Sequence, residues 1–356
     1  MKAMILCGGQ GTRLRPLTFT TSKPLIPVAN QMIIQYTIES IKKTGIDEIC
    51  IVVNPSNQQE FARALGDGAF MDVHIEYVIQ KDPKGIAHAV SLGRDFVRDQ
   101  PFLLYLGDNM ILEDLTPFVE RFLESDYQAS LLLSPVQDPK SFGIATLQGD
   151  RIVQVVEKPE NPPSNLGIIG VYLFHPMIFE VISGLKPSWR GEYEITDAIG
   201  ALLAHDFKVQ SHILQGWWKD TGNPDDLLEA NRKILDIKNT REKRLNHSSK
   251  SPMIGFVQMG ENCQIDHSVV RGPVVLGKEV MIRNAYIGPY TSIGDYVHIE
   301  GSEIENSILL SHVSIIDLPK RIDNSIVGHY TKIGSQKGVP QSVRLITGDH
   351  TKVEFP

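Results

Sequence analysis

The chain has 356 residues, is 42% hydrophobic and 22% charged, and is long enough for two domains that each bury a core. Its net charge of −7 argues against a nucleic-acid backbone as the main partner, because such binding needs a broad basic surface. The three cysteines form no C-x-x-C pair. No apolar run is as long as a membrane-spanning helix, which needs about 18 residues. We therefore expect a cytoplasmic protein without disulfides or zinc and without a nucleic-acid or membrane partner.

A short apolar run near the N-terminus leads into a glycine-rich turn, which contains Gly8, Gly9 and Gly11. Glycine reaches backbone angles closed to other residues, so consecutive N–H groups can surround a polyphosphate, and Arg13 and Lys23 add positive charge. The turn lacks the lysine of a P-loop, and Leu14 stands where a dinucleotide loop has its third glycine. We predict a nucleotide triphosphate site of another kind, with a purely structural turn as the alternative.

The first two thirds of the chain alternate short β-rich runs with amphipathic stretches, which predicts a Rossmann-like α/β domain with a mostly parallel sheet. The predicted strands are 3–6, 48–53, 73–78, 102–106, 130–135, 152–156 and 170–174. A helix is predicted over 31–43, because Ile34, Ile38 and Ile41 share one face and Gly45 ends it.

A second well-marked helix follows Asn223, an N-cap residue, with Pro224 at its first position. The residues at helical spacing behind it are Leu227, Leu228, Asn231, Ile234 and Leu235. The polar segment 238–252 then indicates a helix end and a linker. We predict two domains, a first at 1–237 and a second at 253–356.

Beyond the linker, aliphatic residues recur about every six positions, most clearly at Ile287, Ile293 and Ile299. Hexapeptide repeats of this kind build a parallel β-helix, in which each side of a coil points an aliphatic residue inward. The segment DLPKRID interrupts the repeat and predicts a protruding loop. About four or five coils fit the length.

Two acidic residues far apart in the sequence are candidate metal ligands. Asp108 follows the apolar run 102–106, at the carboxyl end of a predicted strand, where open α/β sheets bind ligands. Asp220 stands just before the helix at Asn223. Two such carboxylates can share one Mg²⁺, whose other ligands are waters and phosphate oxygens. The alternative is that Asp108 only caps a turn in its Gly-Asp-Asn sequence.

Glu157 and Lys158 precede a proline at the end of the run RIVQVV, which places a carboxylate and an ammonium where a strand stops. Glu157 could accept hydrogen bonds from two sugar hydroxyls while Lys158 faces a phosphate; a surface ion pair is the alternative. Arg190 offers a further cation beside a glycine.

Gln80 and Gly85 precede another predicted helix. A glutamine amide offers a donor and an acceptor to a pyrimidine edge, and a glycine lets backbone groups approach the ring. An ordinary loop is the competing interpretation.

Six segments resemble signatures of the sugar-1-phosphate nucleotidylyltransferases, in family order: GGQGTRLRPLT, SKPLIPVAN, LGDN, EKP, RGEYEITDAI and WWKDTG. The chain is most similar to the long form of the glucose-1-phosphate thymidylyltransferases, which ends in a left-handed β-helix. The resemblance implies that a glucose 1-phosphate oxygen attacks the α-phosphorus of dTTP in line, with Mg²⁺, to give dTDP-glucose and pyrophosphate.

The same resemblance assigns roles. The triphosphate would be held by Gly8, Gly9, Gly11, Thr12 and Arg13, with Lys23 on a phosphate. Gln80 and Gly85 would read thymine or uracil. Asp108 and Asp220 would bind Mg²⁺. The sugar phosphate would be held by Glu157, Lys158, Tyr172 and Arg190. Asn109, Gly143 and Trp218 would complete the substrate site. Catalysis would rest on Arg13, Lys23, Lys158 and the metal at Asp108.

Three alternatives stay open at this level. The enzyme could prefer UTP or accept several sugar 1-phosphates, because thymine and uracil differ by one methyl group. The β-helix could transfer an acyl group, with His267, His298, His312 and His329 as possible bases. The chain could also be a non-catalytic regulator that binds a nucleotide sugar. We expect a homo-oligomer formed through the β-helix or the catalytic domain.

Overall fold

The computed structural model describes residues 1–241, 251–335 and 347–353. By their contacts the residues fall into two compact units. The first unit is Met1–Gln10 with Ile33–Asp220, and the second unit is Gly11–Met32 with the described part of Thr221–Pro356. Gly11–Met32, which we call the loop segment, thus belongs with the C-terminal residues. The domain limits predicted above follow chain order and remain a prediction; of the predicted linker, residues 242–250 lie outside the described residues.

Strands and helices are numbered in chain order. The strands up to residue 220 are β1 Lys2–Leu6, β2 Pro27–Val28, β3 Gln31–Met32, β4 Glu48–Val53, β5 His74–Ile79, β6 Phe102–Leu106, β7 Asn109–Ile111, β8 Ala129–Pro135, β9 Gly143–Gln148, β10 Arg151–Glu157, β11 Leu166–Phe174, β12 Val209–Ile213 and β13 Trp218–Asp220. The helices are α1 Ile33–Lys43, α2 Gln58–Leu65, α3 Ile86–Ser91, α4 Arg94–Val97, α5 Thr116–Leu123, α6 Met177–Ser183, α7 Ile195–Ala204 and α8 Pro224–Arg241. Within the described ranges, no helix combines the length and apolarity needed to cross a bilayer.

The first unit is built on a mixed sheet with the strand order β5-β4-β1-β6-β11-β8-β12-β10-β9. Strands β5, β4, β1 and β6 are parallel, and β12 is parallel to β8. Strand β11 runs antiparallel to β6 and β8, and β10 runs antiparallel to β12 and β9. The predicted α/β class is confirmed, and the half of the sheet from β11 to β9 also contains antiparallel pairs.

Two strands of that half were not predicted, because no apolar run marks them. Strand β12 reads VQSHI and buries Gln210 and Ser211. Ser130 Oγ donates a hydrogen bond to Gln210 Oε1 at 3.2 Å, and Ser211 Oγ donates one to the carbonyl of Asp150 at 2.7 Å. Hydrogen bonding of these side chains allows a polar strand to lie in the interior. Strand β9, GIATLQ, lies at the sheet edge and buries little beyond Ile144 and Ala145.

The predicted face of the first helix is confirmed, since Ile34, Ile38 and Ile41 are fully buried in α1. The helix starts later than predicted, at Ile33, because Gln31–Met32 forms strand β3 and pairs with β2. The predicted start of α8 is also confirmed. Asn223 Oδ1 accepts a hydrogen bond from the Asp226 backbone N–H at 3.0 Å, as an N-cap does.

The C-terminal residues form three stacks of short parallel strands, as expected of a β-helix. The strands are β14 Met253–Ile254, β15 Val257–Met259, β16 Gln264–Asp266, β17 Val269–Arg271, β18 Val274–Leu276, β19 Met281–Arg283, β20 Tyr286–Ile287, β21 Thr291–Ile293, β22 His298–Glu300, β23 Glu303–Ile304, β24 Ile308–Leu309, β25 Ser314–Ile316, β26 Ile326–Val327 and β27 Lys332–Gly334. Stacked residues such as Ile265, Ile282 and Ile299 point inward and lie 17 positions apart, close to three six-residue sides. The segment DLPKRID lies between β25 and β26. Within it, Ile322 pairs with Ile304 of the coil before it through one isolated β-bridge, and the segment forms no strand.

Candidate functional site

The start of the glycine turn is held from two sides in the first unit. Asn57 Nδ2 donates to the carbonyl of Cys7 at 2.9 Å, and Asn54 Nδ2 donates to that of Gly8 at 3.2 Å. A Cβ on Gly8 would lie 2.9 Å from Gln80 Oε1, so a larger residue there would displace the Gln80 amide. The turn predicted for phosphate and the glutamine predicted for a base therefore lie side by side. Gly9, the next residue, is exposed with open space around it.

Gln80 is buried, and its amide has a defined orientation. Its Nε2 donates to His88 Nδ1 at 3.0 Å and to the carbonyl of Gly85 at 3.3 Å. Burial, and secondly Lys84, lowers the pKa of His88, which keeps the ring neutral so that Nδ1 can accept. The Gln80 oxygen is left as an acceptor on the side of the glycine turn.

Gly85 lies at a position that no other residue can occupy without strain. Its φ is +101°, and a Cβ there would lie 2.6 Å from the carbonyl oxygen of Tyr193. The backbone N–H of Tyr193 donates to the carbonyl of Lys84 at 2.8 Å, and that of Ala87 donates to the carbonyl of Tyr193 at 3.0 Å. These contacts fix the loop that leads from Gln80 into α3.

The two predicted metal ligands are brought together by a short antiparallel pair of strands. Strand β7 begins at Asn109, directly after Asp108, and Asp220 in β13 is paired with Asn109. Opposite residues of an antiparallel pair are about 5 Å apart. Both aspartates are half-buried. The described residues contain no cluster of three or more His, Cys, Asp or Glu side chains able to hold a metal.

The carboxylate of Asp108 is oriented by a chain of hydrogen bonds. Trp218 Nε1 donates to Asn109 Oδ1 at 2.7 Å, and Asn109 Nδ2 donates to Asp108 Oδ1 at 3.1 Å. Asn109 is 5% exposed, so the indole leaves its amide one orientation. The Trp218 ring packs edge-on against Phe142, with centroids 5.8 Å apart. Asn109 thus contacts Asp108 directly, whereas Trp218 is linked to Asp108 only through Asn109.

A second polar cluster surrounds Glu157 at the end of β10. Thr196 Oγ1 donates to Glu157 Oε2 at 3.0 Å, and Arg190 Nη1 lies 3.7 Å from Glu157 Oε1. The Lys158 ammonium is 3.9 Å from the same oxygen. Gly143 in β9 pairs with Glu157 in β10, and a Cβ on Gly143 would lie 2.7 Å from Thr196 Cγ2. Glu157 therefore receives a hydroxyl donor and two cations.

The pKa of Glu157 is raised, mainly by burial and also by the neighbouring Glu194. The Thr196 hydrogen bond, Lys158 and Arg190 each lower the pKa but do not cancel this effect. Glu194, which is 4% exposed, accepts a hydrogen bond from Arg190 Nη1 at 3.2 Å. Arg190 Nη2 also donates to Glu192 Oε1 at 3.4 Å, so the arginine is shared among three carboxylates. Glu194 and Thr196 were not predicted, although both lie in the RGEYEITDAI segment. Glu194 is the residue before α7 and Thr196 is in its first turn.

Tyr172 differs from the other predicted residues of this cluster. It is 3% exposed, belongs to the hydrophobic core, and stacks on Phe174 with centroids 5.8 Å apart. Burial, and secondly Glu157, raises its pKa. Tyr172 therefore offers little surface to a sugar.

The remaining predicted residues lie in the loop segment of the second unit. Gly11 has φ +59°, and a Cβ on it would lie 3.3 Å from the Cβ of Lys23. Thr18 Oγ1 donates to the carbonyl of Gly11 at 2.8 Å. Thr12 and Arg13 are exposed in a short 3-10 helix, whereas Lys23 is 7% exposed. The segment folds back on itself and brings Gly11 next to the lysine.

Three of the β-helix histidines named above have aromatic or acidic neighbours. His312 is stacked between Tyr296 and Tyr330, with centroids 4.9 and 4.6 Å apart. His267 Nδ1 is 2.9 Å from an Asp266 carboxylate oxygen, and His298 Nε2 is 3.4 Å from Glu300.

Residues 2–237 match the family model described as nucleotidyl transferase. The chain is 42% identical, over the full length of both proteins, to the low-salt glycan biosynthesis nucleotidyltransferase Agl11 of Haloferax volcanii. It is 40% identical to a glucose-1-phosphate thymidylyltransferase of Streptomyces griseus, over 100% of this chain and 99% of the relative. A crystal structure described as a putative glucose-1-phosphate thymidylyltransferase from Bacillus anthracis, in complex with a sucrose, is 35% identical with a TM-score of 0.62, and the match covers 69% of this chain and 98% of that one.

Proposed function

Because the chain belongs to the nucleotidyl transferase family, we propose that it transfers the nucleotidyl group of dTTP to glucose 1-phosphate, giving dTDP-glucose and pyrophosphate. The observation that supports this most directly is the Trp218–Asn109–Asp108 hydrogen-bond chain beside Asp220. Such a chain holds a carboxylate in one orientation, as a metal ligand requires. Full-length similarity to a glucose-1-phosphate thymidylyltransferase agrees with the proposal.

The metal is the first part of the mechanism. Enzymes of this family generally use a divalent metal, and we propose Mg²⁺ at Asp108 and Asp220. The donor set fits, because both ligands are carboxylates and Mg²⁺ commonly keeps waters and phosphate oxygens in its other positions. When bound, Mg²⁺ would neutralise charge on the triphosphate.

The chain's own residues would then position two anions. A glucose 1-phosphate oxygen forms a bond to the α-phosphorus of dTTP while the bond to the pyrophosphate oxygen breaks. No general base is required, because the attacking phosphate is already ionised at neutral pH. Arg13 and Lys23 would offset negative charge on the triphosphate, and Lys158 would do so on the sugar phosphate. In the first unit, Glu157 would accept hydrogen bonds from sugar hydroxyls, with Arg190 kept in place by Glu194.

Base recognition would depend on Gln80. Its oxygen can accept from the N3–H of the base, and backbone groups near Gly85 can approach the ring. Thymine and uracil share this edge, so we expect the values of kcat/KM for dTTP and UTP to differ by about tenfold at most.

The test is pyrophosphate release from the purified full-length chain with dTTP and glucose 1-phosphate. We expect turnover that requires both substrates, and a loss of about 100-fold or more in Asp108→Asn, which retains the side-chain shape. A folded wild-type protein that releases no pyrophosphate with dTTP or UTP would refute the proposal, and it would favour a non-catalytic nucleotide-sugar binder.

A further inference from the structure

Asn231 is a buried amide on the apolar face of α8. The sequence places it at helical spacing with Leu227, Ile234 and Leu235, and all four side chains are buried, Asn231 being 1% exposed. A buried amide needs partners for its donor and its acceptor, and a leucine would fill such a position without that requirement. The asparagine therefore indicates a specific contact.

The partners of Asn231 come from two other parts of the second unit. Its Oδ1 accepts from the backbone N–H of Ala29 at 2.9 Å and from Ser292 Oγ at 2.6 Å. Its Nδ2 donates to the backbone carbonyl of Tyr290 at 3.0 Å. Ala29 is in the loop segment, whereas Tyr290 and Ser292 are in a β-helix coil. One side chain thus joins the loop segment, α8 and the coil.

The loop segment is attached at a strained turn. Ala29 and Asn30 connect β2 to β3 with φ values of 48° and 61°, a region that residues with a Cβ rarely adopt. Such a turn persists where surrounding contacts determine it. Besides the Asn231 bond to Ala29, Asn30 Nδ2 donates to the carbonyl of Ile293 at 2.7 Å. Both turn residues are therefore tied to groups outside the segment.

The loop segment also carries Gly11, Arg13 and Lys23. Gly11 lies against Lys23 and Thr18, so the segment is packed and its parts are expected to move together. We propose that Asn231 is a positioning residue for the triphosphate-binding residues of the loop segment, and that the β-helix is the support to which it attaches them. This inference rests on the proposed function, because that proposal assigns Arg13 and Lys23 to the triphosphate.

The test compares Asn231→Ala and Asn30→Gly with a control, Asp236→Ala. Asn30→Gly removes the side-chain bond to Ile293 at an exposed residue, and glycine tolerates the turn. Asp236 is exposed on the same helix and accepts a hydrogen bond from Tyr290 Oη at 3.0 Å, so its variant removes a bond between α8 and the β-helix that does not involve the loop segment.

We expect Asn231→Ala to lower kcat/KM for dTTP by about 10- to 100-fold. Asn30→Gly should act in the same direction with a smaller effect, and Asp236→Ala should match the wild type. The KM for glucose 1-phosphate should stay within about twofold. Hydrogen exchange should show faster exchange of the Ala29 amide and of residues 11–32 in both test variants, with unchanged exchange in β1 and β6.

The outcomes separate the two proposals. If the wild type has no transferase activity, the proposed function fails, and hydrogen exchange by itself decides whether Asn231 holds the loop segment. If the wild type is active but Asn231→Ala and Asn30→Gly match Asp236→Ala in kinetics and exchange, the positioning role is wrong. Should Asn231→Ala not fold, Asn30→Gly and Asp236→Ala decide in the same way.

Discussion

Trp218 and Asn109 are joined by a hydrogen bond from the indole Nε1 to the amide oxygen at 2.7 Å, although 108 residues separate them in the chain. The bond fixes which end of the Asn109 amide faces Asp108. Three of the residues predicted for the site are thereby linked in one chain of hydrogen bonds, and we propose that Trp218 orients the Asp108 carboxylate.

Trp218→Phe should therefore weaken catalysis while leaving the fold in place. Phenylalanine keeps a ring against Phe142 but has no N–H, so the buried Asn109 oxygen loses its donor and the Asp108 carboxylate is less well oriented. We expect kcat to fall about tenfold and the Mg²⁺ concentration for half-maximal activity to rise. Initial rates over a Mg²⁺ titration measure both. The control is Trp189→Phe, since Trp189 is 88% exposed. Equal behaviour of the two variants would contradict the prediction.

Glu157→Gln should reduce sugar-phosphate binding and alter its pH dependence. The raised pKa of Glu157 means that its carboxylate takes up a proton at a higher pH than an ordinary glutamate, so the wild-type KM for glucose 1-phosphate should rise as pH falls through that pKa. Glutamine does not titrate, so the variant should show a higher KM that no longer changes in this range. Steady-state kinetics at several acidic pH values provide the measurement.

The same substitution should not lower stability at neutral pH. A folded-state pKa above the unfolded value means that the folded state binds the proton more tightly, so ionised Glu157 opposes folding above that pKa and this opposition is relieved as pH falls. Removing the charge should leave Tm at pH 7 equal or slightly higher. A clear drop in Tm would mean that the ion pair with Arg190 outweighs the burial of Glu157.

Protonation of His88 should weaken the binding of dTTP at acidic pH. Its lowered pKa keeps the ring neutral at pH 7, and protonation, which begins below the ordinary value of about 6.5, removes the acceptor that Gln80 Nε2 uses. We expect the KM for dTTP to rise as pH falls below that value, and His88→Phe to have a high KM for dTTP without this pH dependence. A KM for dTTP that is flat with pH in the wild type would show that His88 does not orient Gln80.

Gly85→Ala should destabilise the protein more than the same substitution at a glycine that has open space around it. A Cβ at Gly85 would lie 2.6 Å from the carbonyl oxygen of Tyr193 at φ +101°, so we expect the free energy of unfolding to fall by about 2 to 4 kcal/mol. The matched control is Gly149→Ala, with φ +66° and nothing within 4 Å, which should lose about 1 kcal/mol. Urea unfolding of both variants measures the difference. Equal losses would mean that the loop relaxes away from Tyr193.

The amino-acid sequence alone determined the family, the α/β order and the β-helix. The glycine turn, the buried strands β4 and β6, the N-cap at Asn223 and the inward isoleucines of the coils are encoded by neighbouring residues, and such local periodicity can be read directly from the chain. The family assignment, made on six short segments, is confirmed by the family model over residues 2–237.

Only the tertiary structure decided how these residues work together. Glu194 and Thr196 beside Glu157, His88 behind Gln80, the burial of Tyr172 and the contacts of Asn231 all depend on side chains from distant parts of the chain. Local sequence carries no record of such partners, because a buried polar group is satisfied by whichever element the fold packs against it. For the same reason, the order of elements along the chain could not predict that residues 11–32 group with the C-terminal residues.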